Sequence, residues 1–127
     1  MTPNCCDHER ERVDLLGSRV GWFVWGLPAA LFIMGLAWGA ARAWLWIPSL
    51  VVAGVACIAN ASRCGRLHCF LTGPVFMLAA LLMVLDAFGL MSFDWHWVLT
   101  LGIAGVALGY GLEWIQGKYV GAQRSRS

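Results

Sequence analysis

The chain has 127 residues, of which 60% are hydrophobic and 13% are charged, and its formal net charge is +2. This composition excludes an ordinary soluble domain, in which charged residues are spread along every element. It also gives no reason to expect nucleic-acid binding, because the basic residues lie at the ends of hydrophobic stretches and do not form one stripe. The sequence therefore predicts that the lipid bilayer is the solvent of this protein.

Four long hydrophobic stretches predict four transmembrane helices. A helix rises about 1.5 Å per residue, so roughly 20 residues cross a hydrocarbon core of about 30 Å. The predicted spans are residues 20–41, 44–61, 72–91 and 97–115. We therefore expect an all-α fold, an integral membrane four-helix bundle over residues 20–116. A leader of residues 1–19 precedes this domain, and a basic tail of residues 117–127 follows it.

The basic residues predict the orientation of the four spans. Lys and Arg are enriched in cytoplasmic segments, and four crossings place the leader, the central loop and the tail on the same side. That side carries eight basic residues and the opposite side carries only Arg42. We therefore expect a multi-pass protein of the inner (cytoplasmic) membrane with both termini in the cytoplasm. The eight are Arg10, Arg12, Arg19, Arg63, Arg66, Lys118, Arg124 and Arg126.

The cysteines on the predicted cytoplasmic side are candidate metal ligands. Structural disulfides are rare in a reducing compartment, and thiolate and imidazole ligands favour soft or borderline ions such as Hg, Cu or Zn. The Cys-x4-Cys spacing of the loop is not that of a zinc ribbon, so the leader would have to fold over the loop to complete a tetrahedral site. The expected ligands are Cys5, Cys6 and His8 in the leader, and Cys64, His68 and Cys69 in the polar loop 62–69. Cys69 is expected to be the most reactive thiol, since Arg63, Arg66 and the start of the third helix favour its thiolate.

Three polar residues inside the predicted spans mark a candidate transport path. Cys57 and Asn60 lie on the same helix face as Cys64, at i, i+3 and i+7. Asp86 is the carboxylate well inside the third span, where exposure to lipid would be costly. The sequence leaves open whether these residues serve transport or only helix packing.

The leader Cys5-Cys6 and the run from Asn60 to Pro74, Asn-Ala-Ser-Arg-Cys-Gly-Arg-Leu-His-Cys-Phe-Leu-Thr-Gly-Pro, resemble a signature of small multi-pass bacterial membrane proteins without an established activity. In size and thiol content the chain is also distantly similar to the small mercuric-ion transport proteins, which pass a soft ion between cysteine pairs. Those proteins have a cysteine pair in their first span, whereas residues 20–41 here contain no cysteine. The resemblance implies handling of a soft metal ion on the cytoplasmic side.

Three functions follow from these observations. The leading hypothesis is a transport or handling protein, not an enzyme, for a soft or borderline metal ion, which would exchange its ion with a cytoplasmic thiol or metal-binding partner. The first alternative is a membrane thiol-disulfide oxidoreductase that cycles Cys64 and Cys69 with a quinone or a soluble partner. The second is a small accessory subunit or homo-oligomer, because glycines 102, 105, 109 and 111 permit close helix contacts.

Overall fold

The computed structural model describes residues 19–117, except for the side chain of Cys64. This part of the chain forms four α-helices and contains no β-strand. They are α1 (Arg19–Ala37), α2 (Arg42–Cys64), α3 (Leu67–Ala87) and α4 (Trp95–Gln116), with a short 3-10 turn (Gly39–Ala41) between α1 and α2.

Each of the four helices is long and apolar enough to cross a membrane. The prediction of an all-helical, four-span, multi-pass membrane protein is therefore confirmed for the described residues. Every helix packs mainly against its neighbours in sequence, α1 on α2, α2 on α3 and α3 on α4. The two central helices consequently bury much more of their surface than α1 and α4, whose outer faces are available to lipid.

The hairpin between α2 and α3 is much tighter than the sequence predicted. Gly65 adopts the left-handed conformation with φ of 68° and donates its N–H to the carbonyl of Ala61, which ends α2. Arg66 is extended, and α3 begins at the next residue, Leu67. Residues 62–69, expected to form a polar loop, are therefore mostly helical, and α3 begins five residues before the predicted start at Thr72.

An aromatic cluster closes the end of the bundle opposite to the α2–α3 hairpin. The indole of Trp46 is fully buried, stacks on Phe32 with ring centroids 4.3 Å apart, and donates to the Phe32 carbonyl at 2.9 Å. The Arg42 guanidinium lies 4.2 Å above the ring of Trp95 and donates to the carbonyl of Gly35. Trp44 and Trp97 are exposed near the start of their helices, where tryptophan suits the membrane interface, whereas Trp46 is fully buried and Trp95 is half-buried.

A candidate thiol site between α2, α3 and α4

Two buried cysteines from different helices form the centre of the site. Cys57 on α2 and Cys69 on α3 are 1% and 0% exposed, belong to one packed cluster and are both free thiols. The two thiols pack together in this cluster, with Asn60 beside Cys69 and Thr72 beside Cys57. Their proximity depends on Gly73, because a Cβ at that position would lie 2.8 Å from Ile58 Cγ1 and 3.4 Å from Cys57 Cβ. A glycine here therefore lets α2 and α3 approach at the thiols.

Each sulfur has a polar neighbour that is itself buried. The side-chain amide of Asn60 donates to Cys69 Sγ at 3.5 Å. Thr72 Oγ1 lies 3.4 Å from Cys57 Sγ and 2.8 Å from the carbonyl of His68. Since a hydroxyl has one proton, Thr72 can donate to only one of these two acceptors at a time. The thiols are thus enclosed by groups that can stabilise sulfur either as a thiol or as a thiolate.

His68 connects Cys69 to a carboxylate on α4. Its Nε2 lies 3.4 Å from Cys69 Sγ, and its Nδ1 lies 2.6 Å from Glu113 Oε1. A carboxylate at Nδ1 requires a proton on that nitrogen, so in the neutral ring Nε2 is left as the acceptor facing the thiol. Tyr110 stacks on the imidazole with centroids 4.6 Å apart, which fixes the plane of the ring. The thiol, the imidazole and the carboxylate therefore lie in the order of a nucleophile, a base and a group that orients the base.

Glu113 also neutralises the one arginine of the α2–α3 connection. Its Oε1 accepts from Arg66 Nε at 3.2 Å, and both side chains are largely buried, 14% exposed for Arg66 and 9% for Glu113. Gly109, one turn earlier on α4, allows this approach, since a Cβ there would lie 3.1 Å from His68 Cβ and 3.2 Å from Thr72 Cγ2. The glycine at 109 thus contributes to the packing of α4 against α3.

The predicted site residues divide into three groups. His68 and Cys69 lie in the cluster, and so do the path residues Cys57 and Asn60. Cys64 is the last residue of α2, but its side chain lies outside the described part of the chain, as do Cys5, Cys6 and His8 entirely. Asp86 is near the other end of α3, about 25 Å along the helix from Cys69, where its carboxylate accepts from the backbone N–H of Phe93 at 3.1 Å.

The described residues contain no group of three or more His, Cys, Asp or Glu side chains arranged to hold a metal ion. The thiol pair could therefore give an ion two sulfur ligands here, and further ligands would have to come from the leader or from Cys64. Two thiolates are a donor set for a soft ion and not for Mg or Ca.

Sequence reasoning missed four contributors to this region: Glu113, Tyr110, Thr72 and Trp25. Glu113 lies close to the end of the last predicted span, where hydropathy alone does not indicate a buried contact. Its helical spacing held a signal, since Glu113 lies one turn after Gly109 and Tyr110, at i+4 and i+3, on the same side of α4. Trp25, on α1, packs against the cluster that contains Cys57 and Cys69, and no local sequence pattern predicts this contact.

Comparison with protein-family models, with curated proteins and with solved structures finds no match to this chain. Its function is therefore argued from the chemistry of the site.

Proposed function

We propose that the protein is a membrane thiol oxidoreductase whose redox centre is the Cys57 and Cys69 pair. The observation that carries this proposal is the meeting of two free, buried thiols from α2 and α3, one of them beside an imidazole oriented by a carboxylate. In the oxidation step the two S–H bonds break and one S–S bond forms. Two protons and two electrons then pass to an acceptor dissolved in the membrane, and a thiol partner returns the pair to the reduced state.

The surroundings of Cys69 support a role in exchange chemistry. A thiol reacts as its thiolate, and His68 Nε2 at 3.4 Å is placed to take up the proton. Glu113 holds the imidazole in the orientation this requires. The thiols are almost inaccessible to water, so the electron acceptor has to arrive through the apolar part of the bundle or through an opening of the helices.

The test is to map the disulfide formed by the purified protein in lipid nanodiscs. After oxidation with diamide, free thiols are alkylated and the protein is digested and analysed by mass spectrometry. We expect one intramolecular linkage, Cys57 to Cys69, which is reversed by a dithiol reductant. Cys57→Ser and Cys69→Ser should each abolish it.

Cys64→Ser is the matched control, because it removes a neighbouring thiol of the same hairpin. It should leave the Cys57 to Cys69 linkage and its reduction potential unchanged. A linkage that survives in Cys57→Ser and disappears in Cys64→Ser would contradict the proposal and restore the pairing of Cys64 with Cys69.

The second candidate function is the handling of a soft metal ion by the same thiols. It is favoured by the donor set, two cysteine sulfurs, which suit a soft ion. Titration of the reduced protein with Hg(II), followed by the thiolate-to-metal charge-transfer absorption, should then give one tightly bound ion per chain. Hg(II) binding that is unchanged in the Cys57→Ser, Cys69→Ser double variant would exclude the buried pair as the metal site. A Cys5→Ser, Cys6→Ser variant measures how much of the Hg(II) binding depends on the leader.

We further propose that both termini and the α2–α3 connection face the cytoplasm of a bacterial cell and that the protein lies in the inner membrane. The support is the excess of Lys and Arg at the ends of the chain and around Arg63 and Arg66, against Arg42 alone at the opposite end. Alkaline phosphatase, which is active only outside the cytoplasm, should be inactive when fused after Ser127. An active fusion would contradict the proposed orientation.

A further inference from the structure

An apolar cavity of about 490 Å³ lies between α1 and α4, and residues of α2 and α3 form its remaining wall. Its volume is in the range of sites that take a small organic molecule. Ser49 is the one residue with a polar side-chain oxygen in the lining, and its hydroxyl already donates to the Pro28 carbonyl at 2.6 Å. The greater part of any ligand in this cavity must therefore be hydrocarbon.

One donor at the wall of the cavity is unsatisfied. Trp25 lines the cavity, and its Nε1 is the one buried side-chain nitrogen or oxygen among the described residues that has no hydrogen-bond partner. An indole N–H can only donate, and burying it without an acceptor is unfavourable. A ligand with a hydrogen-bond acceptor near this wall would remove that cost, whereas a plain acyl chain would not.

The same wall separates the cavity from the thiols. Trp25 on α1 and Phe76 on α3 line the cavity and also pack against the cluster that contains Cys57 and Cys69. A molecule in the cavity is thus one aromatic layer away from a pair of thiols that can lose two electrons. Phe32 extends the aromatic lining further along α1.

We propose that this cavity binds a prenylated quinone, the oxidant of the thiol pair. This inference rests on the proposed oxidoreductase function and names its electron acceptor. The tail lies among the aliphatic and aromatic side chains, and a ring carbonyl accepts from Trp25 Nε1 once rotation of the indole brings this buried nitrogen to the cavity wall. The overall step converts both thiols and the quinone into one disulfide and one quinol, because the two electrons and two protons released at sulfur reduce the two quinone carbonyls.

The experiment measures quinol formation by reduced protein in nanodiscs, with a benzoquinone carrying a decyl tail as the probe. Gly102→Leu fills the cavity, since Gly102 lines it and has open space where a Cβ would be placed. Gly111→Leu is the matched control on the same helix, because its Cβ position is also open but the residue does not line the cavity. We expect the half-saturating quinone concentration to rise at least about tenfold in Gly102→Leu, the factor that 1.4 kcal/mol represents, and to stay unchanged in Gly111→Leu.

Trp25→Phe tests the donor, because it keeps an aromatic ring and removes the N–H. It should weaken quinone binding by about tenfold, which is the loss of one hydrogen bond. Equal quinone kinetics in the wild type, Gly102→Leu and Trp25→Phe would overturn the assignment of this cavity. Ala107→Leu is a second filling variant that applies the same criterion if Gly102→Leu does not fold.

Diamide oxidation separates the two proposals, because this reagent acts without the quinone. If diamide links Cys57 to Cys69 in Gly102→Leu while quinone turnover is lost, both proposals are supported. If diamide links the pair but the wild type does not reduce the quinone, the cavity proposal fails and the dithiol function stands. If diamide fails to link the pair in the wild type, the proposed function itself is refuted.

Discussion

Replacement of Glu113 by Gln tests the connection between α4 and the thiol site most directly. The substitution keeps the volume of the side chain and removes the charge that His68 Nδ1 and Arg66 Nε share at 2.6 and 3.2 Å. Hydrogen bonds to charged groups contribute about 1.5–3 kcal/mol each, and breaking a buried ion pair is more costly still because one charge remains unpaired. The Gln oxygen can still accept both hydrogen bonds but carries no charge, so we expect a loss of about 2–3 kcal/mol in the free energy of unfolding.

The assay is reversible unfolding in mixed detergent micelles, followed by far-UV circular dichroism, for the wild type and Glu113→Gln. The rate of Cys69 alkylation is measured in the same samples, in a background in which the other four cysteines, Cys5, Cys6, Cys57 and Cys64, are replaced by Ser. We expect alkylation to change together with stability, because an unrestrained His68 no longer keeps its Nε2 against the sulfur. A free energy of unfolding within about 0.5 kcal/mol of the wild type, a difference typical of neutral surface changes, would refute this account of Glu113.

Arg66→Gln completes a double-mutant cycle that isolates the ion pair. If Arg66 acts through Glu113, the double variant should be less destabilised than the sum of the two single variants predicts, by about 0.5–3 kcal/mol. Additive effects would mean that the contact at 3.2 Å contributes nothing to stability.

Three other regions give independent predictions. Gly109→Ala should destabilise the protein and disturb the packing of α4 on His68, whereas Gly111→Ala on the same helix should be tolerated because its Cβ position is open; thermal unfolding of the pair measures this. Trp46→Ala should cost about 3–5 kcal/mol in chemical unfolding, since it removes a fully buried indole from the cluster at the opposite end. Asp94→Ala removes the N-cap of α4 and should lower Tm at neutral pH. Hydrogen bonds from His96 hold the pKa of the Asp94 carboxyl below its usual value. The difference in Tm should therefore be complete above about pH 4, the pKa of this carboxyl in the unfolded chain, and should shrink as the pH falls through its lower pKa in the folded protein. A difference in Tm that grows toward acid pH would contradict this account.

The number of apolar helices long enough to cross a membrane could be predicted because it depends on local composition. A stretch of about 20 apolar residues is long enough to cross the bilayer wherever it lies in a bundle. The prediction was wrong at the start of α3, which was expected at Thr72 and lies at Leu67. Pro74 lies inside α3, because a proline is tolerated in a membrane-spanning helix and does not have to mark its start. The break between α2 and α3 lies at Gly65, which adopts the left-handed conformation.

The composition of the candidate site was harder to predict, because it depends on which helix faces meet. Cys57 and Cys69 belong to helices whose relative rotation is set by close approach at Gly73. The sequence favoured Cys64 and Cys69 as a pair because they are neighbours along the chain. The contribution of Glu113 depends on the packing of α4 against α3, which hydropathy does not report.

The two-residue connection Gly65-Arg66 has a consequence for the order in which the site is assembled. The contacts of Asn60 with Cys69 and of Thr72 with Cys57 join residues only 9 and 15 positions apart, whereas His68 and Glu113 are separated by 45. Contacts of short sequence separation close first, and synthesis proceeds from the N-terminus. The nascent hairpin can therefore bring its thiols together while α4 is still being made, and insertion of the last helix then covers a thiol pair that is already assembled. A chain truncated after Met91 should form the Cys57 to Cys69 linkage on oxidation; failure to do so would show that α4 is needed to build the pair.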